Sequence, residues 1–191
     1  PAEIRTATTT HLSCIERQSG LLKSDPDCSF PDSSVELRNS PASYDQYLIQ
    51  RDQRDPIVRN TRIVTAALTD TEAGTPIATF VNWHNHPDTL GSANRLISSD
   101  YPHYLREYLE KNGGGLGIYA VGTLGNQIGG LRGTPVPLWN TDGERVYETA
   151  SNGSRRPVLV SDGWEKIRST GYEIADAALK ALTKTDPTHN P

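Results

Sequence analysis

The order of elements between residues 76 and 121 constrains this chain more than any other feature. Ile77-Ala78-Thr79-Phe80-Val81 is a β-rich apolar run. Ile97-Ser98-Ser99-Asp100-Tyr101-Pro102 then forms a helix start: Ser99 or Asp100 can cap free amides, and Pro102 falls where a missing N–H costs nothing. Tyr101, Tyr104, Leu105, Tyr108 and Leu109 follow the i, i+3, i+4, i+7, i+8 spacing of a helix that buries one face. Gly113-Gly114-Gly115 ends it, and Leu116-Gly117-Ile118-Tyr119-Ala120-Val121 reads as a short buried strand. Strand, helix, strand is a βαβ unit, almost always right-handed, with its two strands parallel. Ligands of open α/β sheets bind outside the carboxyl ends of such strands. The segment after Val81 and the Gly122-Thr123-Leu124-Gly125-Asn126-Gln127 turn after Val121 therefore converge on one rim.

The flanking sequence adds a hairpin, a long helix and two irregular stretches. Residues 62–68 are β-rich and are joined to the strand at 77–81 by the turn Asp70-Thr71-Glu72-Ala73-Gly74, which makes the pair antiparallel. Residues 161–182 read as a helix capped by Ser161 or Asp162, with Trp164, Ile167, Ile174, Ala178 and Leu182 close to one face. Gly171 weakens that helix by roughly 1 kcal/mol relative to alanine unless something packs against it. Residues 128–156 read as a long loop rich in Gly, Pro and polar residues. Residues 1–58 show turn chemistry and no sustained period, which suggests an irregular arm packed on the core, with a short strand near its start at residues 2–10. The expectation is an α/β fold in which residues 59–185 form the core: a mixed sheet with a hairpin and a βαβ unit, helices packed on it, and a long irregular N-terminal arm.

Length and charge exclude several classes. A chain of 191 residues suits one domain with a substantial core. Net charge of −4 and a pI near 5.7 leave no electrostatic footprint for nucleic acid. No apolar run approaches the roughly 20 residues that span a bilayer, so no transmembrane segment is expected. The chain opens on Pro1 and contains no methionine, as expected of a processed product or a piece of a longer polypeptide. Cys14 and Cys28 are its two cysteines. Joined, they close a loop worth about 3 kcal/mol and imply an extracellular or periplasmic location; unjoined, they are two unrelated thiols. Asn152-Gly153-Ser154 is a glycosylation sequon in a eukaryotic secretory host.

The chemistry concentrates in Asn82-Trp83-His84-Asn85-His86-Pro87, where an apolar run stops and a turn-rich loop begins. On a strand, residues i and i+2 project to one face, so His84 and His86 can meet one metal ion, or one can bind while the other tunes it. The competing reading is two histidines that cap a strand and bond to carbonyls. His103 falls in the same region, so three of the five histidines lie close together in sequence. Asp100 is an N-cap by position, and its place near the rim would also let its carboxylate orient a histidine.

The run Gly74-Thr75-Pro76-Ile77-Ala78-Thr79-Phe80-Val81-Asn82-Trp83, followed by His86-Pro87, by Ile97-Ser98-Ser99-Asp100-Tyr101-Pro102 and by the Gly122-Thr123-Leu124-Gly125-Asn126 turn, resembles the neutral (non-lysosomal) ceramidase family and its bacterial relatives. The resemblance covers roughly residues 55–130. It implies a zinc amidohydrolase domain in which the histidine of an N-x-x-x-H-P motif, here His86, ligates the metal. Neutral imidazole suits Zn²⁺, and an open coordination position acidifies water and polarises an amide carbonyl. His84 stands where ceramidases carry an apolar or small residue, and is expected to support the ligand or face substrate.

Three departures qualify the resemblance. The family's upstream zinc histidine, in an H-T-H-S-G-P type segment, has no counterpart here. Its glutamate and tyrosine ligands come from segments downstream of a helix like 161–182, where this chain stops. Ile128 stands where the family's catalytic serine would be. The expected function is therefore a fragment or subunit of a zinc-dependent amide-bond hydrolase, with a metal-activated water as nucleophile. Its substrate would be a lipid amide or another amide. In that reading His86 binds zinc, His84 and Asn126 contact substrate or a developing oxyanion, and Asp100 supports them. The remaining ligands would come from companion chains or missing segments of the same protein, and a homo-oligomer is a further partner to expect. The alternative is a non-catalytic assembly subunit that keeps the fold without the activity.

Overall fold

In the computed structural model, residues 2–10, 62–91, 94–122 and 135–183 are described. The elements in chain order are β1 (Ala2–Thr10), β2 (Arg62–Asp70), β3 (Pro76–Trp83), α1 (Tyr101–Lys111), β4 (Leu116–Val121), β5 (Val136–Pro137), β6 (Tyr147–Thr149), β7 (Arg155–Pro157), β8 (Leu159–Val160) and α2 (Gly163–Leu182). The first four strands form one sheet in the order β1-β2-β3-β4. The β1–β2 and β2–β3 pairs are antiparallel, while β3 and β4 run parallel, with Val81 opposite Tyr119 and Trp83 opposite Val121. The mixed sheet, the hairpin and the βαβ unit are thus present as the residue pattern predicts.

The local chemistry explains the turns. Asp70 Oδ1 accepts from the amides of Glu72 and Ala73 at 2.9 and 3.1 Å, so the carboxylate closes the β2–β3 connection. Those amides hold its pKa below the ordinary aspartate value. Alternation along the strands sends Ile63 and Thr65 of β2, and Thr79, Val81 and Trp83 of β3, into the buried layer beneath the helices. The Thr79 hydroxyl donates to the Gly114 carbonyl at 2.6 Å, which ties the exit of α1 to the sheet. Gly117 faces α1 so closely that a Cβ there would lie 2.7 Å from the Arg106 Cα.

Tyr101, Leu105, Tyr108 and Leu109 of α1 meet Ile167, Tyr172, Ile174, Ala175 and Ala178 of α2 in the core. Trp164, expected on the buried face of α2, is 43% exposed. It sits in the first turn, outside the arc that meets α1 and the sheet. Asp162 is the N-cap residue of α2 but makes no side-chain capping bond.

The reading of residues 128–156 as one long loop is corrected over its described part. Residues 135–160 contain two short antiparallel ladders, β5–β8 and β6–β7. Strands of two or three residues carry no readable period, which is why the pattern missed them. Trp139 anchors this excursion: its amide donates to Ser169 Oγ at 2.9 Å, and its indole N–H donates to Glu173 Oε2 at 2.9 Å. Arg145 pairs with Glu173, with an Nη2–Oε1 separation of 2.5 Å.

Beyond β1, the residues of the arm (11–58) lie outside the described residues, as do Cys14, Cys28, Asn126 and Ile128.

Candidate functional site

Strand β3 ends at Trp83, whose carbonyl accepts the Gly122 amide at 2.9 Å as β4 itself ends. His84 and His86 therefore lie beyond the last strand residue, in the loop at the carboxyl edge, and strand alternation does not set their directions. The His84 ring lies against Gly122, where a Cβ would come within 2.3 Å of His84 Nδ1. Burial first and the Arg62 charge second lower the His84 pKa, which favours the neutral imidazole.

The loop that follows is tightly tied. The Asp88 amide donates back to the His86 carbonyl at 3.0 Å, the Gly91 amide donates to the Asp88 carbonyl at 3.2 Å, and Asn85 Nδ2 donates to the His86 carbonyl at 2.9 Å. From the helix side, the buried Tyr101 hydroxyl donates to the Asn85 carbonyl at 2.8 Å and shares a 2.9 Å hydrogen bond with the Tyr119 hydroxyl. Burial raises both phenols, Tyr119 to about 12 and Tyr101 further, so both remain neutral donors. Within this frame His86 Nε2 is buried, and among the described residues it has no hydrogen-bond partner.

Asp100 fastens the other end. Its Oδ1 caps α1 by accepting from the Tyr101 amide at 2.8 Å, its Oδ2 accepts from the Leu90 amide at 2.9 Å, and its own amide donates to Ser98 Oγ at 2.9 Å. It does so with φ 58° and ψ −150°, a conformation natural to glycine that costs a residue with a Cβ about 1–3 kcal/mol. The capping role expected from position is thus present, and the same carboxylate clamps the histidine loop to the helix.

The structure places the His84 ring against Gly122 and ties Asp100 to Leu90, in the loop that follows His86. His103 is elsewhere, on the exposed side of α1 and 3.7 Å from Glu107. Asn126 lies outside the described residues. Sequence reasoning missed Lys166, Asp88 and the Tyr101–Tyr119 pair. Lys166 is 1% exposed in the first turn of α2. Burial depresses its pKa to about 8, opposed by the carboxylates of Asp162, Asp100 and Asp88. Its signal was present in the sequence: Lys166, Thr170 and Ile174 recur at i, i+4 and i+8, so the lysine lies on a stripe that ends in core.

A metal held by this chain would draw on His86, since a buried imidazole nitrogen without a partner is the donor type that zinc takes. Among the described residues no group of three or more His, Cys, Asp and Glu side chains is placed to hold a metal ion. Among those residues, too, no helix is long and apolar enough to cross a membrane.

No protein-family model matches the chain, and no curated protein matches it. Solved structures do. Neutral ceramidase from Pseudomonas aeruginosa superposes with a TM-score of 0.55 at 12% identity, over 100% of this chain and 24% of that one. A ceramidase complexed with C2 gives a TM-score of 0.55 at 13% identity, with the same coverage of each chain. The chain spans about a quarter of the length of these structures, and its fold is similar, at a distance, to the corresponding part of a ceramidase.

Proposed function

We propose that this chain is part of a zinc-dependent amide-bond hydrolase of the ceramidase type, in which His86 is one metal ligand and the remaining ligands come from polypeptide outside this sequence. The observation that carries the reading is His86 Nε2: buried, without a hydrogen-bond partner among the described residues, and held at the carboxyl edge of a parallel strand pair. A buried imidazole nitrogen left unmatched costs free energy, and a metal would use its lone pair. The distant likeness to neutral ceramidase and the His86-Pro87 motif support the same reading.

Zinc, when bound, supplies an acidified water and a polarised amide carbonyl. The protein's own groups would do the rest. His84, whose charged form burial and Arg62 disfavour, would hold or accept a proton beside the reacting amide. Asn126 would donate its side-chain amide to substrate or to a developing oxyanion. Asp100 keeps the loop in register through the Leu90 amide. The reading also carries an extracellular or periplasmic location and a Cys14–Cys28 bridge.

Elemental analysis of the intact protein tests it. One zinc per protomer, lost together with amidase activity in His86→Ala, is the expected result. A metal-free protein that His86→Ala leaves unchanged would instead make it a non-catalytic assembly subunit.

A further inference from the structure

We propose that the outer edge of β4, together with the apolar face beside it, binds a β-strand of polypeptide from outside these 191 residues. The inference shares with the reading above only the premise that further polypeptide accompanies this chain, and it needs no metal.

The direction of the β4 backbone comes first. The Gly122 amide donates to the Trp83 carbonyl at 2.9 Å, and the Ala120 carbonyl accepts from Asn82 Nδ2 at 3.0 Å. The even-numbered positions of β4 thus turn their backbone polar groups toward β3. In a parallel ladder the alternate residues turn theirs the other way, so those of Gly117, Tyr119 and Val121 line the outer edge. β4 is the last strand in the sheet order, and among the described residues it pairs with β3 alone. Glu110 Oε1 meets the Gly117 amide at 3.3 Å. Among the described residues no strand meets the amides of Tyr119 and Val121.

The side chains beside that edge are apolar and open. Gly117 lies against α1, so alternation sends Leu116 and Ile118 to the face away from it. They are 60% and 41% exposed. On that face they stand beside Ala78 and Phe80 of β3, whereas both helices share one core with Val81 and Trp83 on the opposite face.

Edge strands that face water are ordinarily blunted by charged side chains, proline or a bulge. Leu116-Gly117-Ile118-Tyr119-Ala120-Val121 holds no charged residue and no proline, and its register with β3 is unbroken. An uncharged edge flanked by exposed apolar side chains suits the addition of a strand, in which main-chain bonds supply the pairing and alternate side chains the specificity. Chain length argues for the source of that strand. All of this chain superposes on 24% of a neutral ceramidase, so most of a protein of that length lies beside such a unit. A neighbouring strand with apolar residues next to Leu116 and Ile118 would satisfy the edge and cover the face together.

The test uses the intact protein and two readouts, neither of which involves a metal, so a zinc-free protein would leave it standing. Amide hydrogen exchange of the unsubstituted protein is read at Tyr119 and Val121. Both are expected to exchange about 100-fold or more slowly than in an unstructured peptide of the same sequence, and less protection than that would overturn the proposal. The second readout is photo-cross-linking from the open face, with Ile118→p-benzoylphenylalanine and mass mapping of the product. A cross-link to a segment of the same protein outside residues 1–191 is the expected result. A product joined only to residues 1–191, to a second copy or to an unrelated protein would overturn the proposal, as would no product. Should the Ile118 variant not fold, Leu116→p-benzoylphenylalanine presents the same probe on the same face and is judged in the same way.

Discussion

Gly171 of α2 packs directly onto the backbone of Tyr101 of α1: a Cβ built at 171 would stand 2.6 Å from the Tyr101 carbonyl oxygen and 2.7 Å from the Leu105 amide nitrogen. Intrinsic propensity alone makes Gly171→Ala stabilising by about 1 kcal/mol. Contact with rigid backbone reverses the sign. The expected outcome is a loss of about 1–3 kcal/mol from overpacking, read as a lower denaturation midpoint in urea with an unchanged slope.

Gly122→Ala tests the other close approach. The added methyl would collide with the His84 ring, the nearest atom being Nδ1 at 2.3 Å. The ring is the movable partner, so displacement of His84 is expected with a stability loss of about 1 kcal/mol. A changed His84 resonance and an unchanged Ile167 environment in NMR spectra would match that outcome.

Tyr101→Phe removes the hydroxyl that donates to the Asn85 carbonyl at 2.8 Å and leaves that acceptor inside the loop. The expected cost is about 1–3 kcal/mol. Tyr119→Phe keeps the Tyr101–Asn85 bond and should cost less than Tyr101→Phe. Equal losses in thermal unfolding of the two variants would contradict this order.

Lys166 gives a pH signature. Its folded pKa, about 8, lies below the ordinary lysine value of 10.5, because burial outweighs Asp162, Asp100 and Asp88. Between these values the unfolded chain holds a proton that the folded chain has released, so stability rises with pH there. The buried tyrosines reverse the trend above their ordinary value of 10.0, since the unfolded phenols ionise first. Urea unfolding between pH 8 and 10 should show the rise in the wild type and lose it in Lys166→Met.

Much of the core was legible because its signals are local. The apolar stripe of α1 and the Asp100 cap are both present, and Gly113 takes the positive φ of 81° that its place beyond the helix suggests. Residues 136–160 were not legible, because Val136-Pro137 finds Leu159-Val160 through a pairing that neither dipeptide encodes. The site was half legible. His84, His86 and Asp100 stand out as residue types near a strand end, whereas the roles of Tyr101 and Tyr119 as hydrogen-bonding partners depend on two aromatic positions that read equally well as core.

The sequence by itself determined the strands of the main sheet and the two helices, and that the histidines follow a strand whose parallel partner ends in glycine. Backbone periodicity and capping act over a few residues, so they are written in short stretches of chain. Only the tertiary structure decided that His86 Nε2 is buried, that Gly171 must lack a Cβ, and that Lys166 is enclosed in the fold. Desolvation and close approach depend on what the rest of the fold brings within a few ångströms, and no local pattern records that.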